Sequence, residues 1–474
     1  MKKIPKYVWF ILLFLLPLVS MANVETATVM SYVTSGYAIA AVIIFLLAYA
    51  LVMLEDVIHL NKSKPVILAA GFIWVLVAII GKIHGQSDIV DTNLNKGLLE
   101  YGELLLFLLV AMTYINVLEE RLVFSALKTK LLQMGLGFKG VFWLTGFLAF
   151  FISPFADNLT TALILSAVVL SIGHNNSKFV CLSCVNIVVA ANAGGAFSPF
   201  GDITTLMVWQ DGVVPFGHFF SLFLPALVNF LVPAIVMSFF VPKMLQTVKI
   251  TDKPEMKTGA LIVIFCFIAT ILTAVLFQNF LGLPPAFGMM TGLGYLMLLN
   301  FWMQKAQHKP KYASRKRLEH FDIFQKVQML EWDTLLFFFG ILLAVQGIAT
   351  LGYLELISNA LYKEIPSLLP GVFNHITQAN ILMGLLSAIV DNIPVMFGVL
   401  TMHPPLSELQ WLLVTLTTGV GGSLLAIGSA AGVAVMGKAK GQYTFLGHLK
   451  WSWVILLGYF ASIATHLLIN KSFF

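Results

Sequence analysis

The sequence predicts an all-α polytopic membrane protein made of two inverted-topology repeats that contain re-entrant hairpins and broken helices. Three observations lead to this fold class. Of the 474 residues, 59% are hydrophobic and only 11% are charged, and the mean hydropathy is +0.91. The apolar residues form runs of about 20, which is the length that spans a bilayer. Polar motifs interrupt several runs, and related motifs recur in the second half of the chain.

The composition also argues against several protein classes. A soluble chain of this length would divide into domains with polar surfaces. The net charge of +6 is expected to mark basic cytoplasmic loops and not a nucleic-acid surface. All three cysteines lie in apolar runs, and the Cys181-x-x-Cys184 pair lacks the second ligand pair of a zinc site. We therefore expect no disulfide framework and no bound cofactor apart from transported ions.

Residues 1–34 are expected to be a signal peptide or signal anchor followed by a short outer stretch. Three lysines precede the apolar run at 7–19, and Ser20-Met21-Ala22 resembles a cleavage site. An uncleaved first helix is the alternative.

The first membrane repeat is predicted at 35–241. Its uninterrupted runs lie at 35–54, 66–82, 98–118 and 218–241.

Two further runs of this repeat are broken. The run at 140–172 is interrupted between Pro154 and Asn158, which leaves two arms of about 14 residues that reach roughly 21 Å, short of the ~30 Å hydrocarbon core. This favours a re-entrant hairpin with its tip near the midplane. The run at 178–211 is broken at Gly194-Gly195 and again near Gly201.

The second repeat is predicted at 258–474, after a cytoplasmic linker at 242–257. It follows the same plan and includes a basic cytoplasmic loop at 304–330. Its runs lie at 258–278, 284–303, 332–350 and 450–470, and its broken runs lie at 378–403 and 408–437.

Four residue pairs support the repetition. Asp157-Asn158 matches Asp391-Asn392, and Gly195 with Gly201 matches Gly422 with Gly428. The other two pairs are Glu103 with Asp333 and Gly217-His218 with Gly447-His448. All four run in one order with offsets of 227 to 234 residues. Such internal repetition is typical of transporters.

Charge predicts the orientation. The basic loops at 119–139, 242–257, 304–330 and 438–450 are assigned to the cytoplasm, and the loops poor in Lys and Arg fall outside. Those outer loops are predicted at 83–97, 212–217, 279–283, 351–377 and 404–407. Five crossings and a hairpin per repeat give ten crossings and inverted repeats.

The breaks carry the polar residues that predict a function. An ionisable residue at membrane depth is costly and usually functional, and in inverted repeats the site lies where the breaks meet. The cation- and proton-binding candidates are Asp157, Asn158, Asn192, Asp202, Thr204, Thr205, Asp391, Asn392 and Ser429, with Ser198 and Ser423 beside them.

These residue types favour a hard monovalent cation. Carboxylates, amides, hydroxyls and carbonyls are oxygen ligands, and several carboxylates would repel an anion. A buried carboxylate also binds a proton, so cation and proton can compete for one site. The hypothesis is that Asp157 and Asp391 alternately hold Na+ and H+.

Plainer interpretations exist for most of these residues. Asp157, Asp391 and Asp202 could cap helices. Glu103 lies one turn inside an apolar span and could serve a proton or ion role or be interfacial. His218 and His448 are expected at loop edges and not in a proton relay.

At these residues the chain resembles the NhaD-type sodium/proton antiporters of the ion transporter superfamily. The resemblance rests on S-P-F-A-D-N-L-T-T at 153–161, G-G-A-F-S-P-F-G-D-I-T-T at 194–205 and S-A-I-V-D-N-I-P at 387–394. It implies exchange of Na+ or Li+ for H+ in a bacterial inner membrane, a homodimer, and a scaffold domain beside a moving transport domain. It adds Glu103, Ser153 and Ser387 to the important polar residues.

Two alternatives stay open. One is a Na+-coupled symporter of a small organic anion. The other is an intramembrane aspartyl protease, whose Gly-x-Gly-Asp signature is matched only weakly by Phe200-Gly201-Asp202. The second half has Ser429 where the first has Asp202, so the site is expected to be asymmetric.

Overall fold

A computed structural model describes residues 30–472, except 31, 54, 59, 174–175, 244–255, 308–321 and 365–373. Within these residues the chain forms helices and no strand, and ten helices are long and apolar enough to cross a membrane. The predicted all-α membrane class is therefore confirmed. The predicted signal segment lies almost wholly outside the described residues, as do most of the linker at 242–257 and half of the loop at 304–330.

The described part of the first half forms ten helices, with a 3-10 turn at Phe216–Leu222 before the last. They are α1 (Gly36–Met53), α2 (Glu55–Ile58), α3 (Ser63–Ile83), α4 (Ser87–Glu120), α5 (Val123–Gln133), α6 (Phe138–Ala156), α7 (Asn158–Ile172), α8 (Ser177–Gly195), α9 (Ile203–Gln210) and α10 (Phe223–Ser238).

The described part of the second half forms eleven, with a π-helical turn at Ala360–Glu364 after the fifth. They are α11 (Ala260–Leu281), α12 (Pro285–Gln307), α13 (Ile323–Gln328), α14 (Trp332–Thr350), α15 (Tyr353–Asn359), α16 (His375–Leu386), α17 (Asn392–Met402), α18 (Glu408–Gly421), α19 (Ala430–Lys438), α20 (Phe445–Leu449) and α21 (Ser452–Ile469).

The predicted interruption between α6 and α7 is a single residue. Pro154 lies in the last turn of α6, and Asp157 alone separates the two helices. The two helices pack against each other. The expected arm length of about 14 residues is wrong for α6, which has 19 and reaches about 28 Å. Proline in this last turn removes one intrahelical hydrogen bond, the bond to the Phe150 carbonyl, and α6 continues two residues past it.

The broken helices of the two halves have matching surroundings. In the first half α6 packs along α8, and in the second α16 packs along α18. A Cβ on Gly195 would lie 2.6 Å from the carbonyl oxygen of Gly201, and a Cβ on Gly422 would lie 2.6 Å from that of Gly428. The breaks after α8 and α18 are thus closed backbone to backbone, which only glycine permits here.

Contacts between loops keep each predicted group of loops together. Lys326 lies 2.9 Å from Glu120, and the Lys257 N–H donates to the Arg121 carbonyl at 2.9 Å, so three loops predicted to be cytoplasmic meet. His218 pairs with Glu408, which joins the ends of two loops predicted outside.

Helix α8 lies at the centre of the bundle, where it contacts α6, α7, α10 and α18. Every residue from Leu182 to Gly195 is buried. By contrast, α11 exposes large apolar side chains such as Phe265 and Leu272, as expected of a helix that faces lipid.

Candidate functional site

Asp202 is the buried carboxylate at the break between α8 and α9. It is 4% exposed, its backbone is extended, and its Oδ1 accepts the N–H of Thr204 at 3.1 Å, so it caps α9. The hydroxyl of Thr205 donates to the carbonyls of Ser198 and Asp202 at 2.8 and 2.7 Å. Both threonines therefore fix the turn that presents the carboxylate.

Two asparagines from distant parts of the chain donate to this carboxylate. Nδ2 of Asn158 lies 3.0 Å from Oδ2 of Asp202. Nδ2 of Asn392 lies 3.2 Å from Oδ1 and 3.0 Å from Oδ2. Asn158 begins α7 and Asn392 begins α17, so the two predicted tips meet at Asp202.

Asn192 connects the two halves on the other side of the site. Its Nδ2 donates to the hydroxyls of Ser423 at 2.9 Å and Ser429 at 3.0 Å, and its Oδ1 accepts from Asn158 at 3.1 Å. Ser429 also caps α19, as Asp202 caps α9. The predicted asymmetry thus places a hydroxyl where the other half has a carboxylate.

The carboxylate of Asp157 caps α7, the helix that begins at the next residue. Its two oxygens accept the N–H of Thr160 at 2.7 Å and the hydroxyl of Thr160 at 2.8 Å. Its backbone has φ 54° and ψ 162°, a region that residues other than glycine rarely adopt. This geometry is that of a helix N-cap, and Asp157 makes no hydrogen bond to Asp202.

Asp391 has an unused carboxylate oxygen. Its backbone N–H donates to the hydroxyl of Tyr49 at 3.0 Å, while its Oδ1 is buried and has no hydrogen-bond partner among the residues that the structure describes. Sequence reasoning missed Tyr49. It lies outside the repeated motifs, in a span whose other hydroxyls, Ser35 and Tyr37, are at its start, and its position deep in that span is the only signal that could have found it.

Ser153 and Ser387 occupy equivalent positions beside the tips. Ser153 donates to the Ala191 carbonyl at 2.6 Å, and Ser387 donates to the Thr418 carbonyl at 2.7 Å. Both are fully buried. They hold the tips against α8 and α18, and neither contacts Asp202.

Two of the remaining candidates lie away from this centre. Glu103 lines a separate cavity together with Asp211. His448 is fully buried, and its ring contacts the Ser423 carbonyl at 2.8 Å and the Tyr443 hydroxyl at 2.7 Å. The expected loop-edge position of His448 is wrong, because α20 tucks under the second break. His218 is half exposed, as expected.

The donor set defines what the site can bind. The described ranges contain no group of three or more His, Cys, Asp and Glu that could hold a metal ion, so the three aspartates are not one cluster. The centre consists of one carboxylate with amides, hydroxyls and nearby carbonyls. These groups suit a hard monovalent cation or a proton.

Comparisons with known proteins agree with this chemistry. A family model described as "Citrate transporter" matches residues 7–419. The chain is 52% identical over 470 residues to a "Na(+)/H(+) antiporter NhaD" of Vibrio cholerae, covering 96% of both chains. It is 52% identical over 446 residues to an antiporter of the same name from Alkalimonas amylolytica, covering 91% of this chain and 90% of that one. It is also 30% identical over 458 residues to "Sodium/proton antiporter 1" of Arabidopsis thaliana, covering 94% of this chain and 74% of the other.

Proposed function

This chain belongs to the NhaD family of Na+/H+ antiporters, and from this premise we propose that Asp202 is the carboxylate at which Na+ and H+ compete. The protein is a transporter and not an enzyme. Na+ and H+ are the ions named for its bacterial relatives, which match nearly its whole length. The question for this chain is therefore which residues carry the exchange.

The observation that carries the proposal is the double amide contact. Asp202 accepts one carboxamide from each half of the molecule, from Asn158 at 3.0 Å and from Asn392 at 3.0 and 3.2 Å. All other direct partners of its carboxylate in the described part of the chain are neutral. One buried negative charge needs one positive charge, which either Na+ or H+ supplies. Simultaneous binding of both is then unfavourable, and competition results.

The two amides physically link the bound ion to the helix starts at Asn158 and Asn392. With Nδ2 facing Asp202, the amides suit an ionised carboxylate that holds no ion. Na+ requires oxygen ligands, and rotation of each carboxamide presents Oδ1 in place of Nδ2. A proton on Asp202 would likewise need a carboxamide oxygen as acceptor. Loading Na+ therefore turns both Asn158 and Asn392, which are the first residues of α7 and α17, and loading a proton turns at least one of them.

Asp157 and Asp391 flank this centre in the proposed mechanism. Asp391 contributes its unpartnered Oδ1, and Asp157 contributes charge next to Asn158. Asn192, Ser429 and Ser423 complete the polar shell, while Ser153 and Ser387 support the tips.

The finer architecture is part of the proposal. We place two inverted repeats around the site, with α6–α7 and α16–α17 as re-entrant hairpins. The matched glycine contacts at the two breaks and the grouping of loops on each predicted face support this. Alternating exposure of Asp202 to the two faces then moves Na+ one way and H+ the other.

The setting is proposed as the inner membrane of a bacterial cell, with Li+ as a second substrate and a homodimer as the assembly. Li+ is another hard monovalent cation, and the same oxygen ligands suit it. The homodimer rests on the family resemblance.

The description of the matching family model favours a second candidate, a Na+-coupled symporter of an organic anion such as citrate. The centre argues against it. A carboxylate substrate would meet Asp202, and the amides that could bind it already donate to that residue. In the described chain no Lys or Arg side chain hydrogen-bonds to Asp202, Asn158 or Asn392 to offset this charge.

Everted membrane vesicles separate the two candidates. Respiration acidifies the lumen, and a dye reports the pH gradient. We expect added Na+ to collapse the pH gradient and added choline to leave the gradient unchanged. Na+-dependent uptake of labelled citrate, without Na+-driven proton release, would favour the symporter over the antiporter.

A further inference from the structure

A second polar cavity lies at the far ends of the two short helices that begin in the site. Helix α9 follows Asp202 and ends at Gln210, and α17 runs from Asn392 to Met402. At about 1.5 Å per residue, the helix ends lie about 12 to 15 Å along the helices from Asp202 and Asn392. The cavity of about 100 Å3 is bounded by these ends and by α4 and α14.

The charged residues of its lining are mostly acidic. The polar lining residues are Lys96, Glu100, Glu103, Gln210, Asp211, Gln346 and Thr401, with His403 at the end of α17. Three carboxylates thus face one lysine, whose Nζ lies 3.7 Å from Oε1 of Glu100. The carboxyl-terminal ends of α9 and α17 add partial negative charge. The field in the cavity favours a cation.

Two carboxamides in the cavity point to a ligand independently of this charge. Gln346 is only 5% exposed, and its side chain forms no hydrogen bond within the described residues. Nε2 of Gln210 is a buried donor that also lacks a protein partner there, so it suits a water molecule of the ion's shell and not the ion itself. Buried amides normally bind protein, water or an ion, and an unpaired one is costly. Carboxamides offer the oxygen ligands that Na+ takes.

We infer that this cavity is a second cation site, in which Na+ binds with its water shell near Glu100, Glu103 and Asp211, whose carboxylates do not converge into a group that could hold the bare ion. Water and carboxamide oxygens complete its shell, and the Lys96 ammonium is the cation that it displaces. A volume of about 100 Å3 accommodates an ion with several waters, each of which takes up roughly 30 Å3 in the liquid.

The site is assigned to the outer face of the membrane. Lys96, Asp211 and His403 lie in or next to the loops 83–97, 212–217 and 404–407, which charge predicts to be outside. The cavity is then the place where Na+ waits after leaving Asp202 or before returning to it. This inference rests on the proposed antiport, which supplies the ion.

Sided exchange measurements test the inference. Labelled Na+ exchange is measured against bath Na+ in right-side-out vesicles and in everted vesicles. We expect Glu100→Gln and Asp211→Asn each to raise the half-saturating bath Na+ about three- to fivefold in right-side-out vesicles, the size of one partly exposed charge. Everted vesicles should show no shift. The matched control is Asp88→Asn, an exposed carboxylate at the start of α4, which should shift neither.

A labelling experiment reports binding without transport. Thr401→Cys, in a background whose three native cysteines are replaced by alanine, is exposed to an impermeant maleimide added outside, with and without Na+. We expect Na+, and not choline, to slow labelling, and to do so equally when Asp202→Asn disables the centre.

The outcomes are distinguishable. The second site would be overturned if the half-saturating Na+ shifted equally on both faces or on neither face. Labelling of the cysteine only from the cytoplasmic side, or Na+ protection that disappears with Asp202→Asn, would also overturn it. Failure of the proposed function instead appears as wild-type vesicles in which Na+ moves no protons.

Discussion

Asn392 and Asp202 are separated by 190 positions in the chain, yet Nδ2 of Asn392 contacts both carboxylate oxygens of Asp202. This contact joins the start of α17 to the start of α9. It makes Asp202 the meeting point of the two halves, although the second half has no acidic residue at the matching position, Ser429.

Asp202→Asn is expected to abolish Na+-driven proton release, because the substituted amide carries no charge for Na+ or H+ to neutralise. The variant should still fold, since the amide oxygen can cap α9 through Thr204. The measurement is dye dequenching in everted vesicles at matched protein amounts. Asp88→Asn, an exposed carboxylate in the first turn of α4, should retain full exchange. Wild-type activity in Asp202→Asn would transfer the central role to another residue.

Asn158→Ala and Asn392→Ala are expected to raise the apparent KM for Na+. Each removes the carboxamide oxygen that the rotated amide presents to Na+, and loss of one polar contact to a charged group costs about 1.5–3 kcal/mol, or roughly ten- to hundredfold. Asn61→Ala, which removes an exposed carboxamide from α3's start, should leave KM unchanged. Unaltered KM in both tip variants would contradict the amide-rotation mechanism.

Asp157→Asn separates an ion-binding role from a capping role. The amide oxygen can still accept the N–H of Thr160, so folding should persist while the charge is lost. We expect exchange to disappear in Asp157→Asn and to survive in Thr160→Ala, which removes only the second bond to the carboxylate. Exchange assays are compared with thermal unfolding in detergent. If Asp157→Asn transports normally, Asp157 acts as a cap alone.

Gly195→Ala and Gly422→Ala are expected to destabilise the fold. The added Cβ would lie 2.6 Å from a backbone carbonyl oxygen in each case, and the backbone there cannot move aside easily. Overpacking of this kind costs typically about 1–3 kcal/mol. A lower unfolding temperature should accompany both substitutions. Gly217→Ala, whose Cβ would meet nothing within 4 Å, is the control and should melt like the wild type.

The contribution of His448 to stability is expected to depend on pH. Burial lowers the pKa of His448 from 6.5 to about 4, because desolvation disfavours the charged ring and the hydrogen bond to the Ser423 carbonyl offsets only part of this effect. Above about pH 6.5 this carries no penalty. As the pH falls towards 4, the unfolded chain binds a proton that the folded one does not, so stability falls by about 1.4 kcal/mol per unit.

His448→Gln provides the comparison. Glutamine can keep both polar contacts and does not titrate, so the stability of the wild type relative to this variant should decrease between pH 7.5 and pH 5. The measurement is thermal unfolding in detergent at both pH values. A pH-independent difference would show that His448 does not remain neutral in the folded state.

The sequence allowed prediction of the helical membrane class and of where four helices break. Those breaks coincide with the polar motifs, because proline, glycine and small polar residues locally disfavour a continuous helix. The convergence of Asn158, Asn192, Asp202 and Asn392 was also predictable, because polar groups buried in a membrane protein need hydrogen-bond partners within the protein.

The roles within the cluster could not be predicted from the sequence. Asp157 and Asp391 look equivalent in their motifs, yet one carboxylate is bound by Thr160 and the other has a free oxygen. That difference depends on the backbone angles at Asp157 and on Tyr49, which lies 342 positions from Asp391. The burial of His448 likewise depends on how α20 packs.

The bonds between the halves have a consequence for biosynthesis. Asp202 enters the membrane before the ribosome has made Asn392. Asn192 likewise cannot form its hydrogen bonds across the halves until Ser423 and Ser429 have been made. A nascent chain that holds only the first half therefore has all the acidic residues of its breaks but lacks the second half's contribution to the ion site. The transporter becomes competent late in translation, and two separately synthesised halves should be active only when a cell makes both.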